Sequence, residues 1–231
     1  SQAWMLIQYS GLAYVSNLVF FVLYRLDYYF VEKYCSPAEL GNYIQVCRMA
    51  HMFFLFPSMI ATVIFPLTNP STNSMIRSQL PAISRVLFYT FLLLCGFLCV
   101  TGSWLFPLIF GHDFYLMYKA FIWLVPGIIA LSMLYPFSAY YSGINQISMN
   151  FKGSMLAMVI ILIGDVLFIP LFGIQAAAAV SSVGYISYQL FVMIRFKNMH
   201  NIPSREFFYF EPTDFHRIRK SLKPSWVLNE K

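Results

Sequence analysis

Five ionisable side chains stand inside long apolar runs: Arg25, Asp27, Arg48, His51 and Asp165. Such groups are costly in a bilayer and mark the paths of ligands and ions. The cations Arg48, His51 and Arg25 suit an anionic ligand and are the candidate substrate-binding residues. The carboxylates Asp27 and Asp165 suit a proton or a sodium ion and are the candidate coupling residues. At 100° per residue, His51 falls about 60° from Arg48 on a helix, Thr62 about 40° and Ser58 about 80°, all to one side. These four polar groups share an arc, with Leu55 and Met59 among them, and in lipid such a face must look inward. The plainer reading of Arg48 is an arginine paired with Asp27 or with backbone carbonyls for structure alone.

Arg25 and Asp27 are two residues apart, about 200° around a helix, so they do not pair within it. Each sits in a cavity or at the headgroups. Asp165 has Ile161, Leu162, Phe168 and Ile169 as helical neighbours, which predicts that it faces the bundle interior with Ser154 on the same face.

No set of residues suggests catalysis. There is no Ser/His/Asp or Cys/His pattern, no HExxH and no glycine-rich phosphate loop. Cys95 and Cys99 share a helix face, but no further ligand completes a metal set, and they read as packing residues. The expectation is a protein that is not an enzyme, with no cofactor and no metal.

The elements that carry these residues follow from composition. Of 231 residues, 59% are hydrophobic, 19% are aromatic and 10% are charged. An ordinary soluble domain has about 25% charged residues. So much apolar surface suits neither a water-exposed exterior nor a disordered chain, and an all-α integral membrane protein remains. Six apolar runs are each long enough to cross a core of about 30 Å. They cover about Trp4–Val31, Leu40–Leu67, Ile83–Phe106, Tyr118–Phe137, Met149–Ile169 and Ile174–Phe196. Transmembrane β-strands are about half as long and alternate in polarity. Between the runs, loops are read at 32–39, 68–81, 107–114 and 142–146, with a tight turn at Pro170–Gly173. Pro57 and Pro126-Gly127 should kink the spans that hold them. The run Ala176–Ala179, with Ser181, Ser182 and Gly184, reads as close helix packing.

This gives a six-helix bundle over residues 1–196 and a basic cytoplasmic tail over 197–231. Eight of the 15 basic residues lie between Arg195 and Lys231. That excess places the tail inside, and six spans then place the chain start inside too. Phe207–Phe210 suits the headgroup region. Thr213-Asp214 can cap a short amphipathic helix over 215–222, to rest on the anionic leaflet. The basic excess beside a membrane points to the phospholipid bilayer as partner and not to nucleic acid. The chain opens on Ser1 with no charge before Arg25, and it reads as the later part of a longer protein.

Several segments occur in a familiar order. They are Arg25-Leu26-Asp27-Tyr28, Glu39-Leu40-Gly41-Asn42-Tyr43, Pro57 and Phe65-Pro66. They continue with Pro107-Leu108-Ile109-Phe110-Gly111-His112-Asp113-Phe114, Pro126-Gly127, Gly143 and the stretch from Ile169-Pro170 through Gly173 to Ala177. Over about residues 5–200 the chain resembles the second half of the polysaccharide and O-antigen flippases, within the multidrug/oligosaccharidyl-lipid/polysaccharide exporter superfamily. The resemblance implies one lobe of a two-lobed exporter in the bacterial cytoplasmic (inner) membrane. It also implies alternating access and an undecaprenyl-pyrophosphate-linked oligosaccharide as cargo, moved outward for O-antigen and lipopolysaccharide assembly. The other partner implied is the missing N-terminal lobe. Asp165 departs from the pattern, since such proteins often carry a neutral polar residue there. The alternatives are a drug exporter of the same superfamily and a membrane glycosyltransferase or polymerase.

Overall fold

The computed structural model describes residues 25–68 and 73–208, with Gly11, Tyr14, Val15, Leu18, Val19, Phe21 and Val22. Half of the first apolar run lies outside the described residues, as do the basic tail beyond Phe208 and its expected helix at 215–222. The described elements are all helical. They are α1 (Leu26–Tyr34), α2 (Pro37–Phe53), α3 (Leu55–Ile64), α4 (Asn73–Phe110), α5 (Leu116–Gly143) and α6 (Ile147–His200).

Local chemistry sets the boundaries, and several differ from the sequence reading. The stretch read as a loop at 32–39 starts α2 instead. Ser36 Oγ accepts the Glu39 N–H at 3.3 Å, and the Glu39 carboxylate accepts the Ser36 N–H at 2.9 Å. This reciprocal cap, with Pro37 at the first helical position, begins the helix three residues early. The second apolar run breaks at Phe54, where the Phe54 N–H turns back to the His51 carbonyl at 3.2 Å. Pro57 cannot donate to the Phe53 carbonyl, which accounts for a break one turn before it. The stretch read as a loop at 68–81 is mostly helix, because α4 starts at Asn73 and takes in Arg77 and Pro81. Pro107 also lies inside α4, and the turn falls at Gly111, whose φ of 100° suits only glycine.

α6 has 54 residues, about 81 Å if straight. That is more than twice the bilayer core. It is interrupted at Gly173, where φ 61° and ψ −143° are not helical. The glycines show that its arms, 147–172 and 174–200, lie antiparallel. A Cβ on Gly164 would come within 2.5 Å of Val180, and one on Gly184 within 2.5 Å of Ile161. A Cβ on Gly153 would likewise meet the Tyr188 ring. The tight turn read at Pro170–Gly173 is therefore a helical hairpin closed by Gly173.

Successive elements run between two ends of one bundle. At the hairpin end, Glu39 and Cys35 lie beside Gly173. There Asn42 Nδ2 donates to the Asp113 carbonyl at 3.0 Å, and Asn42 Oδ1 accepts the Met117 N–H at 2.8 Å. At the other end, Thr68 abuts Gly143, and Tyr140 hydrogen-bonds His200 at 3.0 Å. Residues after α6 fold back there: Arg85 donates to the Glu206 carbonyl at 2.6 Å and Tyr89 to the Phe208 carbonyl at 2.9 Å. Phe207, expected among the headgroups, is instead buried against Phe137 and Phe196. The backbone bonds made by Arg85 and Tyr89 hold it in that packed position.

Among the described residues, four helical stretches are long and apolar enough to cross a membrane, and the fourth is the two-armed α6. The exterior is apolar too: Leu93 is 74% and Val100 81% exposed on α4. Together these make the chain a multi-pass helical membrane protein.

The contact between α5 and the second arm of α6 depends on a missing side chain. Ser182 Oγ donates to the Trp123 carbonyl at 2.6 Å and accepts the Gly127 N–H at 3.2 Å. These are the two backbone groups either side of Pro126, so the serine patches the ladder that the proline disturbs. α5 consequently runs unbroken through Pro126. A Cβ on Gly127 would lie 2.8 Å from Ser182 Cα. Gly127→Ala is therefore expected to cost about 1–3 kcal/mol through overpacking. Gly96→Ala, which meets nothing within 4 Å, should gain up to about 1 kcal/mol of helix propensity. Unfolding midpoints of the two variants in detergent check the opposite signs.

Candidate functional site

α1 carries Asp27 into the centre of the bundle, where it is 2% exposed. Its carboxylate accepts from the Tyr43 hydroxyl on α2, from the Tyr28 N–H at 2.9 Å and from Ser181 Oγ on the second arm of α6 at 3.3 Å. Three elements thus converge on one carboxyl group. No arginine is among these partners, so the Asp27–Arg48 pair weighed from the sequence is not formed. The group sits in the interior and not at the headgroups.

Asp165, on the first arm of α6, is fully buried, as its apolar neighbours predicted. Ser154 is buried as well, but its hydroxyl bonds its own helix at the Phe151 carbonyl, 3.0 Å away. Neither Asp165 oxygen has a hydrogen-bond partner among the described residues. Both candidate coupling carboxyls are therefore buried, one hydrogen-bonded and one not.

The cations lie on the outside of this site. Arg25 is exposed, with its guanidinium 5.5 Å from the Tyr28 ring and 5.8 Å from the Phe21 ring. Arg48 is exposed on α2 and makes no hydrogen bond or ion pair among the described residues. It lies eleven residues past Pro37, about 16 Å along the helix axis, inside a helical stretch apolar enough to cross a membrane. His51, one turn on, is exposed on one side and packs at 6.3 Å against the buried Phe54 ring. The positions drawn on one arc stay together: Arg48, His51, Leu55, Met59 and Thr62 are all exposed, and Phe54 between them keeps helical angles, φ −71° and ψ −9°. Ser58 and Thr62 spend their hydroxyls on the Leu55 and Met59 carbonyls of their own helix, at 2.8 and 2.7 Å. The face looks outward from this bundle.

A small cavity joins the two layers. Asp27, Tyr43, Cys47 and Tyr185 line it from within, and His51 lines it at the exposed side. It admits the centre of a water molecule over about 10 Å³, room for a single water. Larger spaces are elsewhere and apolar: a groove of about 680 Å³ between Trp123 and the two arms of α6, and one of about 330 Å³ beside Gln189. No ionisable side chain lines either groove. Among the described residues, no His, Cys, Asp or Glu cluster could hold a metal ion.

Sequence reasoning missed Tyr43, Ser181, Ser182 and Asn42. Ser181 and Ser182 read as small packing residues, and nothing in their spacing told that one would bond a carboxylate and the other a broken backbone ladder. Tyr43 and Asn42 stood in a quoted segment, but only burial reveals what their polar atoms meet.

The two carboxyls should respond oppositely to removal. Asp165→Leu, close in shape, removes a buried group without partners and is expected to stabilise the protein by about 1–3 kcal/mol. Asp27→Leu strands the Tyr43 and Ser181 hydroxyls and should destabilise by a similar amount. Thermal unfolding of both variants in detergent reads the signs.

No protein-family model matches the chain, and no characterised protein or solved structure is found to be similar to it.

Proposed function

We propose that the chain is the six-helix C-terminal lobe of a two-lobed exporter in the bacterial cytoplasmic membrane, with its tail on the cytoplasmic side. In this reading the whole protein moves an undecaprenyl-pyrophosphate-linked oligosaccharide from the inner to the outer leaflet. The observation that carries it is Arg48, a cation within an apolar membrane-spanning stretch on an outward face of the bundle, without a partner among the described residues. An arginine left in lipid there is expensive, so the face suits a polar cavity shared with a second lobe. A guanidinium offers two parallel hydrogen bonds to a phosphate, and His51 adds a third donor one turn away. Behind this face, the buried carboxyls Asp27 and Asp165 support coupling to a proton or sodium ion. The ordered segments that resemble the flippases favour a lipid-linked sugar over a drug as cargo.

The test uses the full-length protein in a flippase-deficient strain. Arg48→Lys keeps the charge but loses the fork, and the variant should accumulate normally yet complement poorly. A lost charged hydrogen bond of about 1.5–3 kcal/mol corresponds to roughly 10–100-fold weaker diphosphate binding. Full complementation by Arg48→Ala at normal protein levels would end the proposal.

A further inference from the structure

From the cavity between Asp27 and His51, we propose that His51 is the positioning residue through which Asp27 exchanges protons with the Arg48 face. The inference deepens the proposed function, and it rests on that reading only in taking proton exchange at Asp27 to matter.

The argument is one of access. Asp27 is buried, at 2% exposure, among α1, α2 and α6, and it lines the single-water cavity. Leu124 and Ile128 of α5 wall that space and carry no proton. Tyr43, Cys47 and Tyr185 line it but are buried, at 0%, 8% and 6% exposure. His51 alone among its titratable lining residues also reaches the surface. The groups facing Asp27 are Tyr28 beside it, Tyr43 and Cys47 on α2, and Ser181, Tyr185 and Asp165 on α6. The charges nearest His51 are Arg48, one turn before it, and Arg25, whose charge acts on it directly.

In the transfer, one ring nitrogen of His51 takes a proton from the exposed side. The cavity water then accepts a proton from the imidazolium and donates one to an Asp27 oxygen. The water ends unchanged, the carboxylate has gained one proton, and the imidazole is left as its other tautomer, which a ring flip or proton exchange on the exposed side resets. Because Arg48 and His51 share a face, an anion held there favours the imidazolium and so feeds the relay.

The full chain in lipid, transferred to deuterated buffer, tests this by infrared spectroscopy. The C=O stretch of protonated Asp27, identified by its absence in Asp27→Asn, shifts as its proton is replaced. His51→Phe should slow that shift by about 100-fold or more, in line with the loss of a positioned proton donor. His51→Gln, which keeps a polar group of similar reach, should slow it as well and guards against a folding defect in the Phe variant. Met52→Leu, on the neighbouring exposed position, should leave the rate unchanged. Equal rates in wild type and both His51 variants would overturn the proposal, as would no protonated Asp27 signal at any pH. Complementation by the Arg48 variants bears on the flippase reading and leaves this rate untouched, so the two fail separately.

Discussion

A carboxyl taken out of water keeps its charge only where it is hydrogen-bonded, and without such donors it is better buried as the neutral acid. Asp27 meets that condition with donors from α1, from α2 and from the second arm of α6. The bundle's geometry has to satisfy it. α2 must present Tyr43 and the arm must present Ser181 at the same point. Asp165, on the opposing arm, is buried without donors of its own. One carboxyl held and one left bare is an asymmetry that packing alone does not require.

What lets the elements approach closely enough is the absence of side chains. Gly164 and Gly184 bring the two arms of α6 together, and Gly127 admits Ser182 to the backbone of α5. Lipid provides no hydrophobic drive for helix association, so close packing and interhelical hydrogen bonds must supply it. Ser182 contributes both, since it bridges two helices and repairs the ladder at Pro126 in one contact. Ser181, its neighbour on the same arm, then falls against Asp27. The packing motif and the polar site are therefore one structure.

Much of the fold was legible in the sequence. The class, the apolar runs after the first and the turn at Gly173 follow from composition and punctuation. The ends of helices were less legible, because Ser36 and Glu39 cap each other and draw an apparently polar loop into α2. Pro81 and Pro107, taken as loop markers, lie inside α4. The burial of Asp165 was readable from its neighbours. The arc from Arg48 to Thr62 stays on one exposed face past Phe54, but that the face looks outward from this bundle is set by packing, which spacing alone does not show. The partners of Asp27 were not readable at all, because they come from residues 16 and 154 positions away.

A buried carboxyl site lies behind an exposed cationic face, with His51 at the boundary between them. The Tyr43–Asp27 hydrogen bond holds α1 to α2 and so defines that site. A double-mutant cycle of Tyr43→Phe and Asp27→Asn, read as unfolding free energies in detergent, tests it most directly. The account predicts a coupling energy of about 1–3 kcal/mol, the range for contacting groups in one network. Additivity of the two changes within about 0.5 kcal/mol, the behaviour of distant sites, would contradict it.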